Sequence, residues 1–142
     1  MTKLDDKAER GLEILRDMAG STFAEQMRGI AESDGFGADL GRMALHYAFA
    51  DAWGHEGLDR KSKSIAIISA LIAMRQPKEL KNHVKIGLAN GLDIQDFEAL
   101  LVQLTPYVGL PASASATSEI IEALRESGRD PAVRTAEERG LL

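Results

Sequence analysis

The chain has 142 residues, enough for one domain with a real hydrophobic core. Its 22 acidic residues outnumber the 17 basic ones, for a formal charge of -5, which argues against a nucleic-acid partner or an anionic membrane surface. Cysteine is absent, so disulfides, thiolate metal sites and thiol catalysis are excluded together, and a cytoplasmic location is expected. The first residues lack the apolar run of a signal peptide. The longest apolar stretch, residues 65–74 broken only by Ser69, is too short to span a bilayer and reads as a core helix.

No period-two alternation lasts for a full strand, so an all-α bundle is expected. Residues 4–18 form an amphipathic helix with Leu12, Ile14, Leu15 and Met18 inward. Thr22 to Glu25 matches a capping box, followed at helical spacing by Phe23, Met27 and Ile30. Gly35 and Gly37 break the chain. A longer helix is predicted over 38–53, with Leu40, Met43, Ala44, Tyr47 and Ala48 on its apolar face. Gly54 and Gly57 bracket a turn, and Asp59 caps a helix reaching about residue 75. After Gln76-Pro77 the next helix runs to the stop at Asn90-Gly91, burying Leu80, Val84, Gly87 and Leu88. Asp93 caps a helix to about residue 105, with Ile94, Phe97, Leu100, Leu101 and Leu104 inward. Pro106 and the Gly109-Leu110-Pro111 turn then separate it from a last helix over 112–126. The polar tail, 128–142, reads as loosely held or as packed on a neighbouring subunit.

Three groups of residues could carry chemistry. His83 falls on the buried stripe of its helix, with Glu79 one turn before it at i, i+4. A carboxylate beside an imidazole can be a proton-transfer pair; it is also a common way to satisfy a histidine in a core. Arg60, Lys61 and Lys63 crowd the first turn of the Asp59 helix, where each cation opposes the helix dipole by about 0.3–1 kcal/mol. An anion bound there would offset that cost, and a solvated basic rim is the alternative. Tyr47 and Asp51 stand one turn apart, placed to hydrogen-bond, and Trp53 is either packing or a substrate wall. His46 and His55 have no partner at metal-ligand spacing, so no metal site is expected.

Taken together, these residues carry a family resemblance. The segment 47–116 resembles the carboxymuconolactone decarboxylase family through Asp51-Ala52-Trp53, Gly57-Leu58, Arg60 and Ser64. The match continues through Glu79-Leu80-Lys81 with His83, then Asn90-Gly91-Leu92, and Tyr107 to Ala112. The resemblance implies one alkylhydroperoxidase-D-like helical domain over 1–142, an obligate trimer or hexamer, and active sites near subunit contacts. In the peroxidase branch of that superfamily a Cys-x-x-Cys-x-x-x-His motif ends at the position of His83. Gln76 and Glu79 occupy the two cysteine positions here, which rules out thiol peroxidase chemistry.

The remaining branch removes carbon dioxide from 4-carboxymuconolactone in aromatic catabolism, without a cofactor. By resemblance, His83 and Glu79 are then catalytic, and Arg60, Tyr47, Trp53 and Tyr107 contact a small anionic acid or lactone. Gly54-His55-Glu56 replaces a stretch that commonly reads x-Arg-Pro, and Lys63 stands where Arg is usual, so the accepted acid can differ. An isomerase or hydratase of a related unsaturated acid uses the same pocket chemistry. A non-catalytic helical oligomer that binds a ligand is the third reading.

Overall fold

The computed structural model describes residues 1–141, and all regular elements among them are helical. Leu142, the last residue of the predicted tail, lies outside the described residues. The chain divides into two compact units, Met1–Asp59 and Arg60–Leu142, each with its own apolar core.

In the first unit, Asp5 starts α1 (Asp6–Ala19): its backbone is extended and its carboxylate accepts the Ala8 amide at 2.9 Å. Leu12, Leu15 and Met18 are buried, as their spacing predicts. The capping box expected at Thr22–Glu25 does not form. Gly20, at φ 89°, ends α1 and immediately starts α2 (Ser21–Glu32), so Thr22 already lies inside a helix and has no N-cap geometry. Ile30 is exposed, while Phe23 and Met27 pack on the core. Arg28 grips Glu9 with two bonds of 2.7 Å and ties α2 to α1.

The helix predicted over 38–53 is two different elements. Helix α3 (Ala38–Met43) gives way to a ten-residue π-helix, Ala44–Trp53. The wider i→i+5 turn changes which face points inward. Leu45, Ala50 and Trp53 are buried, whereas Leu40, Met43 and Tyr47 of the predicted stripe are exposed. Packing against α1 sets this choice. Gly11 lets the two backbones approach so closely that a Cβ there would stand 2.2 Å from the Leu45 carbonyl oxygen.

The second unit holds α4 (Arg60–Ala73), α5 (Pro77–Ala89), α6 (Ile94–Val108) and α7 (Leu110–Glu126). Its core joins Ile68, Leu71 and Ile72 of α4 to Leu80, Val84 and Leu88 of α5, Phe97 of α6, and Ile120 and Leu124 of α7. Only one face of the long apolar stretch is buried, since Ile65, Ile67 and Met74 are exposed. Ile94 is also exposed, because it opens α6 outside the packed face. Asp93 and Asp96 form the capping box that starts α6, with bonds of 2.9 and 3.0 Å. Pro106 does not end α6, which runs on to Val108. The hydrogen bond it forfeits falls at Val102, an exposed residue whose carbonyl water can reach. The described part of the tail is anchored rather than loose. Val133 packs on the core, its carbonyl accepts from Arg125 Nε at 2.7 Å, and Arg125 also pairs with Glu138.

Helices α4 and α5 end in the same way. At the end of α5 the Leu92 amide reaches back to the Gly87 carbonyl (2.9 Å) and the Gly91 amide to Leu88 (3.2 Å). At the end of α4 the Gln76 amide reaches Leu71 (3.0 Å) and the Arg75 amide reaches Ile72 (3.1 Å). Both are Schellman closures, which need one residue at positive φ. Gly91 fills that place at φ 99°, but Arg75 fills it at φ 54° and pays the cost of a Cβ there.

Two glycine substitutions test the first unit. Gly11→Ala should lower stability by at least about 2 kcal/mol, because backbone rather than a flexible side chain blocks the methyl. Gly29→Ala, inside α2 with nothing within 4 Å, should raise it by about 0.5–1 kcal/mol. Urea unfolding of both variants measures the difference.

Candidate active site

Pro77 suits the first turn of α5, where its missing amide hydrogen has no intrahelical acceptor. From there the sequence buries Leu80, Val84, Gly87 and Leu88 toward α4 and α7. Gly87 allows the closest approach: a Cβ would meet Leu92 Cδ1 at 2.8 Å and Ile68 Cδ1 at 3.1 Å. His83 precedes Val84 and is therefore half-buried, while Glu79, one turn earlier, is exposed. The structure thus brings this predicted pair together on one turn of α5.

Burial pushes the His83 imidazole below its ordinary value of 6.5, because the cationic form loses water. The negative charge of Glu79 opposes that shift without cancelling it. The Nδ1 atom is buried and makes no hydrogen bond within the described chain, although the ring has other interactions. Burial therefore favours the neutral imidazole. On the outside of α5, Lys81 pairs with Glu122 (2.9 Å) and Glu126 (2.5 Å), and Lys85 pairs with Glu126. Such exposed pairs are individually weak, but together they fix α5 against α7.

Arg60 is half-buried at the start of α4. The basic turn is not a bare rim, since Lys61 meets Asp96 at 3.1 Å and Arg60 and Lys63 also make interactions. Asp96 lies below the usual carboxylate range, first through the Asp93 amide and then through Lys61. Tyr107 is exposed in the last turn of α6. Tyr47 and Trp53 belong to the first unit. Trp53 is buried with 8% of its surface accessible, which is the environment of a packing residue. Tyr47 is exposed and lies under Lys7, whose ammonium is 5.5 Å from the ring centroid. The same ammonium holds Asp51 at 2.7 Å, so Tyr47 and Asp51 meet Lys7 rather than bonding to each other.

Sequence reasoning passed over one buried polar contact. Ser64, only 1% exposed, accepts a hydrogen bond from Asn90 Nδ2 at 3.0 Å, tying the α4 core to the end of α5. Ser64 and Asn90 were legible as positions in the family motifs, and Asn90 also as a helix stop, but their bond was not, because the two residues lie 26 apart in the sequence. No group of three His, Asp or Glu residues placed to hold a metal occurs among the described residues. No helix among them is long and apolar enough to cross a membrane.

The chain belongs to the carboxymuconolactone decarboxylase family, whose model matches residues 38–125 and so includes α4, α5 and α6 entire. A 4-carboxymuconolactone decarboxylase of Acinetobacter baylyi is 25% identical over 127 residues, covering 89% of this chain and 93% of that protein. A nitrosuccinic acid decarboxylase of Metarhizium robertsii is 22% identical over 108 residues, covering 76% and 74%. Both relatives are named as decarboxylases, and the two names give different acids.

The titration of His83 is directly testable. Its imidazole should titrate below 6.5 by NMR, and Glu79→Gln should lower it further by removing the charge that favours imidazolium. The folded state disfavours the cation, so the stability His83 contributes is complete above about pH 6.5. It is then lost as the pH falls from there toward the lowered native value. His83→Gln should flatten that part of the stability curve.

Proposed function

We propose that this protein is a carboxy-lyase that removes carbon dioxide from an unsaturated lactone acid of the carboxymuconolactone kind, with His83 and Glu79 at its centre and no cofactor. The observation that carries this reading is the half-buried imidazole on α5, set one turn from a carboxylate, inside the family match. The substrate supplies its own electron sink. As the C–C bond to the carboxylate breaks, its electron pair moves through the conjugated C=C into the lactone carbonyl and leaves a dienolate. A proton then returns to carbon, so the product differs by loss of carbon dioxide alone.

The protein has three tasks: hold carboxylate, stabilise the oxyanion, and manage the proton. Neutral His83 can donate an N–H to the developing oxyanion, where the new charge strengthens the bond. Glu79 orients the ring and supports imidazolium when the ring relays the proton. Arg60 offers a planar fork for a carboxylate. Tyr47, Trp53 and Tyr107 stay in the proposal as substrate contacts; of the three, Trp53 has the least exposed surface to offer.

The proposal includes assembly into a trimer or hexamer. Phe36, Leu40, Met43 and Tyr47 in the first unit, and Val102, Tyr107 and Leu110 in the second, are large apolar or aromatic residues left exposed on the single chain. Light scattering on the purified protein should show a trimer or hexamer at micromolar concentration; a stable monomer would count against it.

The activity test incubates the protein with 4-carboxymuconolactone and, separately, with nitrosuccinic acid, following carbon dioxide and products by mass spectrometry. Isomerisation or hydration without carbon dioxide would replace the proposed reaction. His83→Gln should lower kcat by about 10²–10⁴-fold with a smaller change in KM. Glu79→Gln should do less, and the double variant should be little worse than His83→Gln. Full turnover in a folded His83→Gln oligomer would return His83 to a structural role.

A further inference from the structure

Within the second unit, the ends of α4, α5 and α7 enclose a cleft of about 160 Å³. Its walls are Leu71 and Ile72 of α4, Leu80 of α5, and Ala112 and Ala116 of α7, all apolar. Three polar side chains also line it: Arg75, Gln76 and Ser115. None of the three makes a side-chain hydrogen bond or ion pair among the described residues, although most other cations of this unit do. The volume corresponds to about five water molecules at ~30 Å³ each, the size of a short organic acid. An apolar enclosure with a few converging polar groups is the usual make-up of a small-molecule site.

The backbone adds an independent point. The Schellman closure of α4 would be most easily made with glycine, as α5 makes it with Gly91. Arg75 occupies the equivalent place at φ 54°, a conformation that disfavours a side chain. The guanidinium is therefore held at the cleft at a cost to folding, where a glycine would be cheaper.

We propose that this cleft is a binding site for a small organic carboxylate, its charged end on Arg75 and Gln76 and its apolar body against Leu71, Ile72 and Leu80. One cation sets the preference for a single carboxylate, and the planar fork of arginine suits its two oxygens. Neither Glu79 nor His83 lines it, although Gln76, which does, caps the helix that carries them. Binding can accordingly be read without turnover.

The test uses the whole chain with labelled Ile and Leu methyl groups and crotonate as probe, with crotonamide as its neutral counterpart. Crotonate should move the methyl signals of Leu71, Ile72 and Leu80 saturably, and crotonamide should not. Arg75→Gly and Arg75→Asn both keep the backbone at positive φ accessible, so the fold should survive in each. Each should weaken crotonate binding by about tenfold or more, and His83→Gln should leave it unchanged. The proposal is overturned if crotonate gives no saturable shift at these three residues up to roughly 50 mM. It is equally overturned if crotonamide acts alike, or if both Arg75 variants bind crotonate as the parent does. Loss of decarboxylation in the earlier assays leaves these readouts untouched, so the two proposals fail separately.

Discussion

The burial of α5 against α4 and α7 is the constraint on which the second unit depends. Leu80, Val84 and Leu88 enter the core at helical spacing, and Gly87 removes the side chain where Leu92 and Ile68 press closest. Once that stripe is buried, the position of His83 is no longer adjustable. It sits at the margin of the stripe, half-buried, where burial disfavours the charged ring. The polar face of the same helix is tied to α7 through Lys81, Lys85, Glu122 and Glu126. One packing decision therefore sets both the environment of the imidazole and the rigidity of the turn that carries it.

That environment also defines what the imidazole can do. A solvent-exposed histidine would be partly cationic near pH 7, and a fully buried one could not meet a substrate. Half-burial favours a neutral ring, and the carboxylate one turn away keeps the protonated form within reach. A group placed between those limits can support charge that appears only in the transition state.

The two units handle helix irregularity differently. In the first, the π-helix turns Leu45, Ala50 and Trp53 inward and leaves Leu40, Met43 and Tyr47 on the surface. In the second, the helices stay regular and the exceptions gather at their ends, where Gly91 and Arg75 close the same motif at different cost. Both irregular features stand beside residues with chemical potential: Tyr47 and Asp51 around Lys7, and Arg75 at its cleft.

The sequence by itself determined what local and near-neighbour physics controls. Helical periodicity placed α1 and α5, and the Asp93 side chain marked the start of α6, to which the structure adds Asp96 as the second half of the capping box. The spacing of Glu79 and His83 put them on one turn, since four residues on a regular helix admit no other arrangement. The family motifs were legible for the same reason, as short strings with fixed gaps. Tertiary structure decided the rest. The local sequence does not separate a π-helix from an α-helix, and the inward face was set by packing against α1, where Gly11 approaches the Leu45 backbone. The break expected at Pro106 failed because one lost hydrogen bond at an exposed turn is cheaper than ending a packed helix. Arg75 marked no more than the end of a helix in the sequence, because the cleft it lines does not exist until α4, α5 and α7 are brought together.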